Sequence, residues 1–153
     1  MVHLHSFAGL LRVVFFVASS VGCSNLPSTP TSPSSGAGSL ALTADQLGGT
    51  WDLSSIQPAG QVAQAAPPGA TYTLTFAETR LSTRADCNVC SGGFTLSEDT
   101  LTAGPALACT RAACPTMAFE SKYTGMLGGE STVELSGRTL TLSSARGVLR
   151  FAR

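Results

Sequence analysis

Four of the five cysteines fall within residues 86–114, at Cys87, Cys90, Cys109 and Cys114, a spacing of C-x2-C, eighteen residues, then C-x4-C. Nothing else constrains the fold as strongly, because each sulfur pair fixes two backbone points about 4–7 Å apart. Two chemistries fit this spacing. Four thiolates carried on two turns can enclose a tetrahedral zinc ion, or the thiols can oxidise in pairs to disulfides. A redox-active CxxC fits less well. That motif lies at a helix N-terminus, which lowers the thiol pKa, whereas Cys87-Asn88-Val89-Cys90 lies among strand-forming residues and is followed by glycines.

The amino-terminal segment decides between the first two. Residues 1–22 carry Arg12, then the apolar run Val13-Val14-Phe15-Phe16-Val17-Ala18, then the small residues Ser19, Ser20 and Gly22, which is the form of a secretory signal. The run is shorter than the roughly 20 residues needed to span a bilayer. Exported thiols meet an oxidising compartment, so the four cysteines are expected as disulfides, with neither a metal nor a cofactor. Ser20-Val21-Gly22-Cys23 resembles a bacterial lipobox, in which the cysteine is acylated and becomes the new N-terminus; it departs from that pattern at Ser20, where Leu is favoured, and at Val21, where a small residue is usual. Acylation of Cys23 would also leave an even set of four thiols to pair. The expected location is therefore the cell envelope, as an outer-membrane or periplasm-facing lipoprotein, with the membrane as partner through an N-terminal lipid anchor.

Residues 24–38 read SNLPSTPTSPSSGAG, a run too poor in apolar surface to offset the entropy of ordering, hence a tether. The expected organisation is a signal at 1–22, the lipidated cysteine and linker at 23–39, and a folded domain at 40–153.

Within that domain, short alternating runs predict strands at residues 50–56, 71–76, 80–85, 91–96, 101–103, 131–135, 139–142 and 148–151. In the first, Trp51, Leu53 and Ser55 would share the core face. A helical turn capped by Thr43 precedes it. After the last cysteine the period changes. Pro115 suits a first helical position, and Phe119, Tyr123, Met126 and Leu127 form one apolar stripe ending at Gly128-Gly129. About seven or eight short strands with one substantial helix predict an α+β fold, a strongly curved antiparallel sheet or small barrel with the helix packed across it.

Spacing leaves all three pairings of four cysteines open. A hairpin turning at residues 97–100 favours the nested one, with Cys90 opposite Cys109 and Cys87 reaching Cys114 where the helix begins.

The series Leu47-Gly48-Gly49-Thr50-Trp51-Asp52-Leu53, Leu74-Thr75-Phe76, Asp86-Cys87-Asn88 with Gly92 or Gly93 and Phe94, then residues 108–114 (ACTRAAC) and Glu120, resembles the META domain, also called HslJ-like, over residues 40–153. The resemblance implies a small α+β domain, often secreted or anchored as a lipoprotein, without a known catalytic site and associated with envelope stress, antibiotic tolerance or secretion. It also implies a Cys87 to Cys114 bond, from the family's Cys-Asn and T-x-x-x-C elements; Cys90 and Cys109 are additions to the usual pattern.

Nine basic residues scattered among nine acidic ones form no stripe to follow a phosphate backbone, so nucleic acid is excluded as a partner. Both histidines, His3 and His5, lie in the segment expected to be removed. A chain without imidazole lacks Ser-His-Asp and Cys-His machinery. Of the carboxylates near the motifs, Asp52 is read as an outer-face charge, Asp86 as a turn acceptor and Glu120 as a helix-surface or hydrogen-bonded charge. The expected protein is not an enzyme but a membrane-tethered envelope domain, acting in envelope stress or protein interaction. The alternative is a carrier of a small apolar or lipid ligand in a chamber lined by Trp51, Tyr72, Leu74 and Phe76.

Overall fold

Alternation of large apolar and small polar side chains sets most of the chain into strands. In Tyr72–Ala77, Tyr72, Leu74 and Phe76 are buried while Thr73 and Thr75 are half-buried on the other face. The computed structural model describes residues 41–153; the expected signal segment, Cys23 and the linker lie outside the described residues. In chain order the elements are α1 (Ala44–Leu47), β1 (Gly49–Pro58), β2 (Tyr72–Ala77), β3 (Arg80–Ala85), β4 (Asn88–Ser97), β5 (Thr100–Ala103), β6 (Ala108–Cys109), α2 (Met117–Leu127), β7 (Gly129–Ser136), β8 (Thr139–Ser144) and β9 (Gly147–Ala152).

All pairings are antiparallel. The sheet runs β3-β2-β1-β9-β8-β7-β5-β4-β6, and β3 also pairs with β4. Eight strands thereby close into a barrel, and β6 stays outside the ring as an added edge on β4. Of the two expected forms, curved sheet or small barrel, the chain takes the barrel; the α+β class is corrected to a mostly β fold with the short helix α2 against it. Closure leaves no open edge in the ring. Two-residue turns join β2 to β3, β3 to β4 and β4 to β5, with Glu78, Asp86 and Glu98 in the left-handed region at φ of 52°, 58° and 56°. That backbone suits the twist of a tight hairpin.

Three local expectations are revised. The β1–β9 ladder shifts register between Leu53 and Ser55, so Ile56, not Ser55, takes the next core position. This is a bulge, which inserts a residue and reverses the alternation beyond it. Strand β4 begins at Asn88, three residues before the expected start, because Cys90 and Asn88 continue the inward series of the strand. Helix α2 begins at Met117 with Thr116 as N-cap, leaving Pro115 just outside.

Helix α2 packs against β9, β1 and β3. Tyr123, Met126 and Leu127 are buried and Phe119 is half-buried, while Tyr72 meets Phe119 and Tyr123 edge-on at centroid distances of 4.9 and 5.3 Å. On α1, Leu47 is buried and its carbonyl accepts from Trp51 Nε1 at 2.8 Å. The Arg153 guanidinium lies 4.0 Å from the Trp51 ring centroid and donates to Gly48 O at 2.8 Å.

Candidate functional site

The residues that the carrier alternative assigned to a chamber wall are packed against one another. Trp51 and Leu74 are fully buried, Tyr72 and Phe76 nearly so, and Phe76 meets Phe94 edge-on at 5.1 Å. Tyr123, from α2, meets Tyr72 on one side and Phe151 on the other, and neither Tyr123 nor Phe151 has any exposure. Polar groups inside are satisfied. Thr83 donates to Thr73 O at 2.6 Å, which leaves its oxygen to accept from the Tyr123 hydroxyl at 2.6 Å. Burial pushes the Tyr123 phenol well above its ordinary range, opposed only in part by the Thr83 bond.

Polar chemistry concentrates instead where β4, the segment after β6 and α2 meet. Alternation along β4 turns Asn88 inward at 2% exposure, and an asparagine there must find partners. Its Oδ1 accepts from Ala112 N–H at 2.7 Å and from the Thr110 hydroxyl at 2.9 Å. Its Nδ2 donates to Ala112 O at 3.0 Å and to the Glu120 carboxylate, with both oxygens at 3.0 Å, and lies 3.2 Å from Cys114 Sγ. Thr110 completes the join to β4: its N–H donates to Val89 O and its hydroxyl accepts from Val89 N–H, both at 3.0 Å. One buried amide therefore holds the loop at 110–112 against both β4 and α2.

Beside it runs a chain of hydroxyls. Tyr72 donates to Thr116 Oγ1 at 2.9 Å, and Thr116 donates to Asp86 Oδ2 at 2.6 Å. This bond explains why Thr116, though at the N-cap, makes no side-chain cap of its own. Burial raises the Tyr72 pKa, the Thr116 bond opposes the shift, and the negative charges of Asp86 and Glu120 add to it.

The cysteines join this assembly in two nested bonds, Cys87–Cys114 outside and Cys90–Cys109 inside. Cys90 and Cys109 are direct partners in the β4–β6 ladder. Taken singly, closing loops of this length stabilises by roughly 3 kcal/mol each, and less for the inner bond once the outer has shortened the free loop. Among the described residues no group of three His, Cys, Asp or Glu stands close enough to hold a metal.

Two shallow cavities of about 410 and 400 Å³ lie along α2 and share Cys109, Ser121 and Thr124. The first is lined by Asn88, Arg111, Met117 and Glu120; the second by Leu107, Gly125 and Gly128. Together they make a trough between β6 and the helix, with Met117 53% exposed at its side.

A family profile described as META domain matches residues 41–153, the whole of the described barrel. The chain belongs to the META domain family. It is similar to the protein from Burkholderia xenovorans solved by NMR, at 26% identity and a TM-score of 0.60, over 84% of this chain and 98% of that one. A second NMR structure is 27% identical with a TM-score of 0.58, over 72% of this chain and 94% of that one. No curated protein matches.

In this META domain the sites named from sequence fall unevenly. Cys87, Cys90, Cys109, Cys114, Asp86 and Glu120 are brought into one region, whereas Asp52 points outward from β1 and is exposed. The role of Asn88 as the centre of the cluster was not anticipated. Its signal was the presence of a strand-averse amide two residues before Cys90, on the same face as that buried cysteine. Every hydrogen-bonding atom of the Asn88 side chain is occupied and all four thiols are oxidised, so the cluster fixes geometry and offers no free nucleophile of its own.

Proposed function

We infer that this META domain is a non-catalytic interaction module of the cell envelope, tethered to the membrane through a lipid on Cys23, that binds another envelope component through its outer face and loops. The observation that carries this reading is the filled barrel. With Trp51, Leu74, Tyr123, Phe151, Leu140 and Leu149 all at 1% exposure or less, the interior holds side chains where a carrier would hold its ligand. The tether and the envelope address rest on the signal-like segment, the lipobox resemblance and the linker composition. A part in envelope stress rests on the family resemblance alone.

The test is site-specific photo-crosslinking in intact cells. A photoreactive residue at the exposed Met117, or at Val62 in the β1–β2 loop, 78% exposed, is expected to capture a defined envelope protein. A small apolar molecule that co-purifies stoichiometrically, with no crosslinked protein from either position, would reverse the reading in favour of the carrier.

A further inference from the structure

The two disulfides differ in what their opening would disturb. Cys87 sits in the two-residue turn between β3 and β4, where Asp86 N–H donates to Thr71 O and Asp86 Oδ2 accepts from Thr116. Its partner Cys114 is 6% exposed, three residues before α2, with its sulfur against Asn88. Opening that bond loosens the turn, the start of the helix and the Asn88 cluster together. Cys90–Cys109 is placed otherwise. Each bond joins a buried cysteine to an exposed one, Cys114 to Cys87 in the outer and Cys90 to Cys109 in the inner, but Cys109 also borders both cavities of the trough and is approached without entering the barrel. The strand it fastens, β6, is two residues long and pairs with β4 at Cys90↔Cys109 and Ser91↔Ala108, with the Thr110–Val89 bonds holding the chain just beyond it. None of the eight ladders that close the ring uses β6. Because the bonds are nested, the segment freed with β6 stays closed by Cys87–Cys114.

We propose that Cys90–Cys109 is a thiol–disulfide exchange site, opened by a dithiol reductant of the envelope at Cys109 while Cys87–Cys114 stays closed. Within the inner pair access directs attack to Cys109, the exposed partner of buried Cys90; between the two bonds, each of which has an exposed cysteine, the choice falls on the one whose opening frees only the two-residue β6. A thiolate of the reductant bonds to Cys109 Sγ, the Cys90–Cys109 bond breaks, and its electron pair leaves on Cys90 Sγ, which takes a proton. The second thiolate of the reductant then attacks its own mixed-disulfide sulfur and releases Cys109, which is protonated in turn. The reductant ends as a disulfide and the domain holds two new thiols. β6 is then free to lift from β4, and Leu107, whose side chain fills the space over Gly92 so closely that a Cβ there would come within 2.8 Å of it, moves with it. The trough beside α2 widens while the barrel stays closed, a local opening of the kind that low-stability segments undergo. The proposal stands on the placement of the two bonds; of the reading above it takes the envelope address and not the interaction role.

Peptide mapping under limiting reductant tests it. The mature oxidised protein is treated with dithiothreitol for graded times, alkylated with iodoacetamide and cleaved with trypsin. Cleavage after Arg84, Arg111 and Lys122 gives fragment 85–111, carrying Cys87, Cys90 and Cys109, and fragment 112–122, carrying Cys114. The expected product is 85–111 alkylated at Cys90 and Cys109 yet still bonded to 112–122, forming about tenfold sooner than any species alkylated at Cys87 or Cys114. Hydrogen exchange on that product is expected to quicken over residues 104–109 and to stay slow at Thr110 and Ala112, which Val89 and Asn88 hold, and in β1, β2, β8 and β9. Opening of Cys87–Cys114 first, both bonds together, or Cys90–Cys109 only after barrel amides lose protection would overturn the proposal. A doubly substituted C90S/C109S protein is expected to keep the barrel's exchange protection and the outer bond; failure to fold would count equally against it.

Discussion

Replacing Asn88 with alanine should remove the joint between β4, the 110–112 loop and α2. The side chain makes three bonds to neutral partners, Ala112 N–H, Ala112 O and the Thr110 hydroxyl, and one to the Glu120 carboxylate. Neutral bonds are worth about 1 kcal/mol net and a charged one about 2 kcal/mol. Water reaching Thr110, Ala112 and Glu120 from the adjoining cavity recovers part of this. The expected loss is about 3 kcal/mol, a large share of the 5–15 kcal/mol typical of a domain, and a fall in Tm of roughly 10 °C. Thermal unfolding followed by circular dichroism, with both disulfides intact, measures it. Asn88→Asp sharpens the test: it keeps the shape, removes both N–H donors and sets a second carboxylate against Glu120. It should destabilise more than alanine at neutral pH and recover as acid neutralises the pair. A loss below about 1 kcal/mol for Asn88→Ala, with no pH-dependent recovery for Asn88→Asp, would refute the view that this amide organises the region.

Other consequences are equally concrete. Gly147→Ala should destabilise by about 3 kcal/mol or prevent folding, because at φ +132° a Cβ would collide with Gln57 O and Pro58 Cα, whereas Gly137→Ala, with open space at φ +57°, should cost only about 1 kcal/mol; urea titration compares them. The raised phenols of Tyr72 and Tyr123 predict an alkaline limit: stability is fully present below the unfolded tyrosine pKa of about 10 and is lost as pH rises from there toward the higher folded values, and Tyr123→Phe should diminish that loss in an unfolding series followed against pH. Arg153→Ala should cost about 1 kcal/mol through the lost Trp51 stacking and Gly48 bond, and should shift the Trp51 fluorescence. Cys23→Ser should move the protein from the membrane fraction to the soluble one; unchanged membrane association would remove the lipid anchor.

The legible parts of the fold were those written in local periodicity. The alternation of Tyr72, Leu74 and Phe76 marks β2, and the helical spacing of Tyr123, Met126 and Leu127 marks the buried side of α2. A small barrel was one of the two expected forms, but which strands close it was not legible. Closure depends on β1 pairing with β9, where residues 52–58 meet residues 147–152, and no local pattern records which distant edge a strand will choose. The bulge near Ser54 hid for a related reason, since the register of β1 is set jointly by Ile56 seeking the core and by the partner strand. At the candidate site the cysteines were visible from their spacing. Asn88 and Thr110 were present in the motif, but their work is done by bonds across more than twenty residues of chain. β6, two residues long, has no periodicity to show.

Native mass spectrometry of the mature protein purified from the cells that make it tests the central claim most directly, that this is a barrel filled by its own side chains and fastened by two disulfides. The predicted mass is that of the processed, acylated chain less the hydrogens of two disulfides, with nothing bound. A stoichiometric small molecule retained by the folded protein, or zinc held by four free thiols, would contradict it.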